Sequence, residues 1–295
     1  MKSLVRFILP VLILVSLGTG GYLLYRQNSR VSTPLDRQKI QVVASFYPLA
    51  FFTERIGGNL VQVKTITPPG TEPHDYDLSA QDIAAIEHAN LLVLNGYVET
   101  WGEKIRENLR DTKIRMVIAG EGLFSGTDPH LWLDPVLAGQ ESEKIADALI
   151  SIDPTNASEY RKNQTALVAD FDQLDAKFRI GLQTCTRQDI ITSHAAFGYL
   201  ASRYGFRQVP IAGISPDEEP PAQTLANIAK FARENAVKYI FFERLVSPKL
   251  ADTIATEVSA QTLVLDPLEG ISTGKDYFTV MEENLKNLKT ALECK

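Results

Sequence analysis

Four side chains able to bind a metal ion stand far apart in this chain, each in a short loop motif. They are His74 in T-E-P-H-D-Y, His130 in D-P-H-L-W-L-D-P, His194 in T-S-H-A-A-F-G and Asp266 in L-V-L-D-P-L-E-G. A zinc finger places its ligands only a few residues apart, so this set is not a finger. Ligands this distant meet only if a folded scaffold brings four loops together. We predict that it does, and that the four side chains bind one metal ion.

The segments between these loops alternate between short β-branched runs and longer helical patterns. We predict strands at 42–45, 61–66, 91–95, 116–118, 189–193, 208–211, 239–243 and 262–265. We predict helices at 48–56, 79–88, 101–109, 134–151, 195–204, 223–234, 247–259 and 277–292. Alternation at these lengths is typical of βαβ units and a parallel sheet. The expected fold class is α/β, with two lobes that each hold a mostly parallel sheet flanked by helices.

One further helix is predicted to join the lobes. Apolar residues recur at steps of three and four from Ala157 to Phe178, and no glycine or proline interrupts them before Gly181. A helix over 154–182 is about 43 Å long at 1.5 Å per residue, which is too long for one small lobe. We interpret it as a strut, with a solitary coiled-coil segment as the alternative. The predicted domains are 39–152, 153–184 and 185–295.

The placement of the four candidates relative to the predicted strands supports a shared site. In open α/β sheets, ligands bind outside the carboxyl ends of the strands. His194 and Asp266 directly follow predicted strands, and His74 and His130 lie in loops that begin where strands end. His88 instead falls late in a helix, where it suits an interaction with the helix dipole.

Two other polar residues near these motifs have simpler interpretations. Asp134 precedes Pro135, and this pair is typical of a helix start with aspartate as the cap. Glu243 at a strand end is a candidate to orient a metal ligand, and a plain contact between lobes is the alternative.

The first 38 residues differ in composition from the rest. Lys2 and Arg6 precede an uncharged run over 7–25, which Arg26 closes. This pattern is typical of an export signal, and the run is also long enough for a membrane span. A cleaved signal and a retained anchor, each followed by a tether, both stay open. No cysteine lies nearby, which argues against a lipid-linked protein, and we expect the remaining chain to work outside the cytoplasm.

The expected compartment and the net charge of the chain bear on its cysteine pairing and on its partners. Disulfides form in exported proteins, so we predict that Cys185 pairs with Cys294, with two free thiols as the alternative. The formal net charge is −6 and no basic cluster occurs, which argues against a nucleic-acid partner.

Four motifs resemble those of the zinc/manganese solute-binding proteins of ABC transporters. They are T-P-P-G-x-x-P-H-D-Y, D-P-H-L-W-L-D-P, S-H-A-A-F-G-Y-L and L-D-P-L-E-G, and the resemblance extends over about 40–295. It implies two α/β lobes, a rigid connecting helix and a metal ion held between the lobes by His74, His130, His194 and Asp266. It also implies a periplasmic or otherwise extracytoplasmic protein that delivers its metal to a membrane permease. We expect this protein to be a monomer.

The donor set favours zinc as the metal. Three imidazoles and one carboxylate suit zinc, whereas manganese prefers oxygen ligands. In the family, a glutamate in place of the third histidine accompanies manganese, and here His194 is a histidine. Manganese is the alternative within the family.

Two other classes of function are weighed against transport. A metallohydrolase keeps an open metal position for water and needs a general base, and the chain has no H-E-x-x-H motif. We therefore expect no enzyme. A surface adhesin that uses the same fold stays open.

Overall fold

The computed structural model describes residues 39–216, 218–270 and 274–295. The predicted signal or anchor at 1–38 lies outside these residues. Within the described ranges, no helix is both long and apolar enough to cross a membrane.

Within the described residues, eight short strands form two separate sheets. The strands are β1 (Ile40–Ala44), β2 (Val61–Thr65), β3 (Leu91–Leu94), β4 (Arg115–Ile118), β5 (Asp189–Thr192), β6 (Arg207–Pro210), β7 (Tyr239–Phe242) and β8 (Gln261–Val264). The first sheet has the order β2-β1-β3-β4 and the second the order β6-β5-β7-β8. Every pairing is parallel, and in the first sheet Val42 of β1 lies opposite both Val63 and Leu91.

Helices connect the strands in both halves, as the alternating pattern predicted. They are α1 (Tyr47–Gly57), α2 (Ala80–Glu87), α3 (Gly102–Asn108), α4 (Pro135–Ile152), α5 (Ala157–Leu182), α6 (Gly198–Tyr204), α7 (Ala222–Glu234), α8 (Lys249–Val258) and α9 (Tyr277–Ala291). Parallel strands need such crossover connections, because no tight turn can bring the chain back to the same end of a sheet. The predicted α/β class is confirmed.

The start of α4 shows how sequence determines a helix end. The carboxylate of Asp134 accepts hydrogen bonds from the backbone N–H groups of Val136 and Leu137, and Pro135 occupies the first turn. Asp134 also forms an ion pair with Arg203 of α6. The interpretation of Asp134 as a helix cap is confirmed.

The long helix α5 packs into a core to which both halves contribute. Phe171 of α5 lies edge-on to Phe52 of α1 and to Tyr277 of α9, with ring centroids 5.3 Å and 5.6 Å away. All three side chains are buried. The Tyr277 hydroxyl donates to the backbone carbonyl of Trp132, which adds a polar link between the halves. The domain limits 39–152, 153–184 and 185–295 stay predictions.

A disulfide joins the segment after α5 to the C-terminal segment. Cys185 and Cys294 are bonded, and they also form an isolated antiparallel bridge. The backbone N–H of Arg187 donates to the carbonyl of Leu292 in the same region. The predicted pairing of the two cysteines is confirmed.

Candidate metal centre

Three histidines and one glutamate converge at the carboxyl ends of the strands. His74 follows β2, His130 follows β4, His194 follows β5 and Glu269 follows β8. One ligand atom from each lies within 4.8 Å of the other three, and all four residues are buried. Parallel strands all point the same way, so their following loops meet at one edge of each sheet.

The spacing of the donor atoms fits a tetrahedral metal ion. His130 Nε2 lies 3.3 Å from His74 Nε2 and 3.3 Å from His194 Nε2. Glu269 Oε1 lies 3.2 Å from His74 Nε2 and from His130 Nε2, and 3.5 Å from His194 Nε2. Zinc–nitrogen bonds of about 2.0–2.1 Å at tetrahedral angles place donor atoms about 3.3–3.4 Å apart. These five donor–donor distances match five of the six edges of that tetrahedron.

The structure does not place Asp266 with the histidines, which differs from the expectation from sequence. One Asp266 oxygen accepts a hydrogen bond from the backbone N–H of Leu268 at 2.9 Å, and the other lies 3.3 Å from Arg244 Nε. Its carboxylate is therefore engaged by its own loop at Leu268 and by Arg244, which follows β7. The carboxylate at the cluster belongs to Glu269, three residues further along the same motif.

Carboxylates behind two of the histidines orient their rings. Asp128 lies 2.7 Å from His130 Nδ1 and also accepts the backbone N–H of His130. Glu243 lies 2.7 Å from His194 Nδ1 and accepts the backbone N–H of His194. Such partners fix the ring orientation of a ligating histidine and raise its basicity. In this arrangement the rings of His130 and His194 both direct Nε2 into the cluster.

The loop that carries His74 has a different support. The backbone N–H of His74 donates to Glu72 Oε1 at 3.2 Å, and the backbone N–H of Thr71 donates to the carbonyl of Pro68. Glu72 Oε2 is buried without a hydrogen-bond partner. Burial, with the nearby charge of Glu269, raises the pKa of Glu72 to about 9.

Electrostatic coupling within the cluster is strong. Burial lowers the pKa of His194, but Glu269 and Glu243 more than offset this and hold it well above its usual range. The pKa of His130 is raised in the same way, because hydrogen bonds with Asp128 and Glu269 outweigh burial. Burial raises the pKa of Glu269, yet the histidines hold it well below its usual range. Without a metal ion, the site therefore favours charged imidazoles at His130 and His194 beside an ionised Glu269 carboxylate.

The fourth histidine stays apart from the cluster. His88 is exposed and occupies the C-terminal cap of α2, where its backbone N–H donates to the carbonyl of Ala84. Its location agrees with the interpretation as a residue of a helix terminus.

Two parallel sheets with a buried cluster of three imidazoles and one carboxylate at their strand ends define a metal-binding α/β protein. The chain belongs to the family ZnuA, described as "Zinc-uptake complex component A periplasmic", which it matches over residues 42–291. The resemblance inferred from the four motifs is confirmed. Family membership makes the chain an uptake component and not an enzyme.

Individual proteins show the same relationship. The high-affinity zinc uptake system protein ZnuA of Bacillus subtilis (strain 168) is 38% identical over 283 residues, which cover 87% of this chain and 89% of that protein. The zinc-binding lipoprotein AdcA of Streptococcus pneumoniae (strain ATCC BAA-255 / R6) is 36% identical over 277 residues, which cover 85% of this chain and 55% of AdcA. The chain thus spans about half the length of AdcA. The crystal structure of the Zn(II)-bound ZnuA-like domain of Streptococcus pneumoniae AdcA has a TM-score of 0.78 and 37% identity, covering 87% of this chain and 100% of that domain.

Sequence reasoning missed Glu269 and Asp128, although both stand in motifs that it singled out. Asp128 precedes His130 by two residues, a spacing at which a carboxylate can reach the histidine's backbone N–H. Glu269 stands in L-D-P-L-E-G, and the only signal for it was a second carboxylate in the same loop.

Proposed function

We propose that this chain is the extracytoplasmic zinc-binding component of an ABC importer, and that it holds its zinc cargo through His74, His130, His194 and Glu269. The observation that carries the proposal is the convergence of three Nε2 atoms and one carboxylate oxygen at tetrahedral spacing. The family and the zinc named for its relatives support it.

The donor chemistry supports zinc over manganese. Zinc is bound well by imidazole nitrogen in four-coordinate sites, whereas manganese prefers carboxylate, carbonyl and water oxygens in larger shells. The cluster offers three nitrogens, and its donor atoms are buried, which limits the room for additional water ligands. Glu269 Oε2 is buried without a partner, so this carboxylate has further capacity toward a cation.

Charge balance also supports a cation as cargo. The buried Glu269 carboxylate is stabilised by positive charge, which protons on His130 and His194 supply when the metal is absent. A divalent ion can replace these protons and leave the histidines neutral, which is the form that coordinates.

A membrane permease is the proposed receiver of the zinc. The family description as a component of a zinc-uptake complex supports this partner, and we propose that the chain acts as a monomer. We further propose that residues 1–38 serve as an export signal or an uncleaved anchor and tether. The disulfide Cys185–Cys294 supports a location outside the cytoplasm, because such bonds persist in oxidising compartments.

The test is a zinc titration of the full chain against a chromophoric competitor. We expect about one tightly bound zinc ion per chain. Replacing a ligand, in His194→Ala or Glu269→Ala, should weaken zinc binding by more than the roughly 100-fold that loss of an outer hydrogen-bond partner causes. The matched control is His88→Ala, which removes an exposed imidazole and should leave the affinity unchanged.

Two results would contradict the proposal. Equal effects of His88→Ala and His194→Ala would show that the cluster is not the zinc site. Elemental analysis of protein purified from its own compartment should find zinc, and manganese in place of zinc would replace the proposed cargo.

A further inference from the structure

The loop that presents Glu269 is fixed to its surroundings on both sides of Asp266. The backbone N–H of Leu265 donates to the carbonyl of Phe242 in β7. The side-chain amide of Asn284 bonds both backbone groups of Asp266, accepting from its N–H at 2.9 Å and donating to its carbonyl at 2.7 Å. Trp132 Nε1 donates to the carbonyl of the next residue, Pro267, at 2.7 Å. These hydrogen bonds fix the backbone position at the start of the turn that precedes Glu269.

The turn itself has an unfavourable backbone conformation. Leu268 is fully buried and has a φ of 61°, in the left-handed region that non-glycine residues rarely adopt. A bulky side chain held there costs free energy, so the surrounding contacts must stabilise the turn. The carboxylate of Asp266 supplies one such contact, since Oδ1 accepts the N–H of Leu268 at 2.9 Å. Aspartate commonly stabilises a turn by bonding the backbone two residues ahead.

Arg244 holds the second oxygen of the same carboxylate. Its Nε lies 3.3 Å from Asp266 Oδ2, and its terminal nitrogen lies 3.8 Å from Glu283 of α9. Arg244 directly follows Glu243, which orients His194. Glu243 and Arg244 are therefore consecutive residues at the end of β7 with two different contacts. Glu243 contacts His194, and Arg244 contacts the loop that carries Glu269.

We propose that Asp266 is a positioning residue that stabilises the left-handed turn at Leu268 and thereby directs the Glu269 carboxylate toward the three histidines. Arg244 keeps the Asp266 side chain in the orientation that this turn requires. This inference rests on the proposed function, because it assigns Asp266 an effect on zinc that operates through Glu269.

A double-mutant cycle on the full chain tests the inference. Zinc affinity is measured for the wild type, Asp266→Ala, Glu269→Ala and the double variant. Asp266→Ala should weaken zinc binding by about 10–100-fold, as expected for the loss of a group that orients a ligand. In the Glu269→Ala background the same substitution should change the affinity by about twofold or less, because interacting residues are not additive.

Two further measurements separate positioning from a general loss of structure. Asp266→Asn keeps an oxygen that can accept the Leu268 N–H and loses only the ion pair, so its affinity should stay within about fivefold of the wild type. With cobalt(II) in place of zinc, the visible absorption of Asp266→Ala should resemble that of Glu269→Ala. Cooperative unfolding of metal-free Asp266→Ala shows that this variant is folded. If it does not unfold cooperatively, Asp266→Glu replaces it in the cycle, because the longer glutamate side chain moves the acceptor oxygen away from the Leu268 N–H.

The outcomes distinguish this inference from the proposed function. If Glu269→Ala binds zinc as the wild type does, the proposed ligand set is wrong. If Glu269→Ala is weak and Asp266→Ala binds normally, or if Asp266→Ala causes the same fold loss in both backgrounds, the positioning role is overturned. An Asp266→Asn variant as weak as Asp266→Ala also overturns the role of the turn hydrogen bond.

Discussion

Protons compete with zinc for the histidines because of the charged residues around them. Asp128, Glu243 and Glu269 raise the pKa values of His130 and His194 above the usual 6.5 in the metal-free protein. Asp128 and Glu243, which orient the rings for zinc, therefore also favour their protonation. Zinc must displace these protons, so its apparent affinity depends on pH.

The first prediction concerns the pH at which zinc binding weakens. Because two histidines have raised pKa values, apparent zinc affinity should begin to fall already above pH 6.5 as pH decreases, and not only below pH 6. Two displaced protons give a slope approaching about two decades of affinity per pH unit. The measurement is a competitor titration between pH 8 and pH 5, with His88→Ala as the matched control. An affinity that stays constant down to pH 6 would contradict the prediction.

Glu141 is a second residue whose charge state is set by its environment. It is fully buried in α4, and neither side-chain oxygen has a hydrogen-bond partner. Burial, together with the nearby carboxylate of Glu99, raises the pKa of Glu141 well above its usual value of 4.5. The folded state therefore keeps a proton that the unfolded chain releases.

The second prediction is the effect of Glu141 on stability. A raised folded-state pKa contributes stability that is fully present below about pH 4.5 and is lost as pH rises through the folded pKa. Glu141→Gln has no proton to lose. The free energy of unfolding of the variant relative to the wild type should therefore increase with pH, by up to about 1.4 kcal/mol per pH unit.

Denaturant unfolding of metal-free protein at pH 5, 6.5 and 8 measures this difference. Glu143→Gln is the control, because Glu143 is exposed on the same helix. A difference between Glu141→Gln and wild type that does not change with pH would show that Glu141 titrates normally.

The contrast between Asp266 and Glu269 shows how far sequence alone determines the site. Strand periodicity identifies the histidines because each stands in a loop that follows a predicted strand. The choice between two carboxylates in L-D-P-L-E-G depends on the backbone at Leu268, whose φ of 61° no local pattern predicts. Its position directly after a strand predicts Asp266 as the ligand, yet its carboxylate accepts the backbone N–H of Leu268 in the turn.

At the scale of elements, local patterns predicted the strands and helices within a few residues. The eight strands of the described residues are short, each contains at least one β-branched residue, and helix α4 begins at Asp134-Pro135 as expected. Helix α5 begins at Ala157, because Pro154–Asn156 forms a separate 3-10 turn ahead of it. The order of strands in each sheet was not predicted, since it depends on contacts between segments distant in sequence.

The third prediction concerns the disulfide that joins the segments following α5 and α9. Cys185 and Cys294 close a loop with a sequence separation of 109 residues. The chain-entropy model gives such a loop a stabilisation of about 4–5 kcal/mol. Replacing both cysteines by serine should lower the free energy of unfolding by up to that amount, as denaturant unfolding measures.

Zinc affinity is the control for the disulfide variant. The cysteines lie in the segments that follow α5 and α9 and the histidines in loops at the carboxyl ends of strands, so the affinity should be unchanged. Equal stability of the wild type and the double serine variant would contradict the structural role of the bond.

At the scale of the described chain, one core extends from the first sheet through α5 to α9. Phe51 and Phe52 of α1 contact Tyr277 of α9, with ring centroids 5.8 Å and 5.3 Å away, and both Phe52 and Tyr277 are fully buried. An aromatic side chain buries about 150–250 Å². At about 25 cal/mol per Å², exposing one such ring costs about 4 kcal/mol or more, which is roughly a thousandfold in population.

The last prediction is that zinc loading does not close a large hinge. Wide separation of the two halves would expose this aromatic contact and break the hydrogen bonds from Trp132 to Pro267 and from Tyr277 to Trp132. We expect superimposable solution scattering from chelator-treated and zinc-loaded full chain. Hydrogen exchange should instead slow on loading in the loops around His74 and His130, whereas α5 should exchange equally in both forms. A radius of gyration that falls by several ångströms on zinc addition would refute the rigid core, and equal exchange of both loops would mean that zinc binds without ordering them.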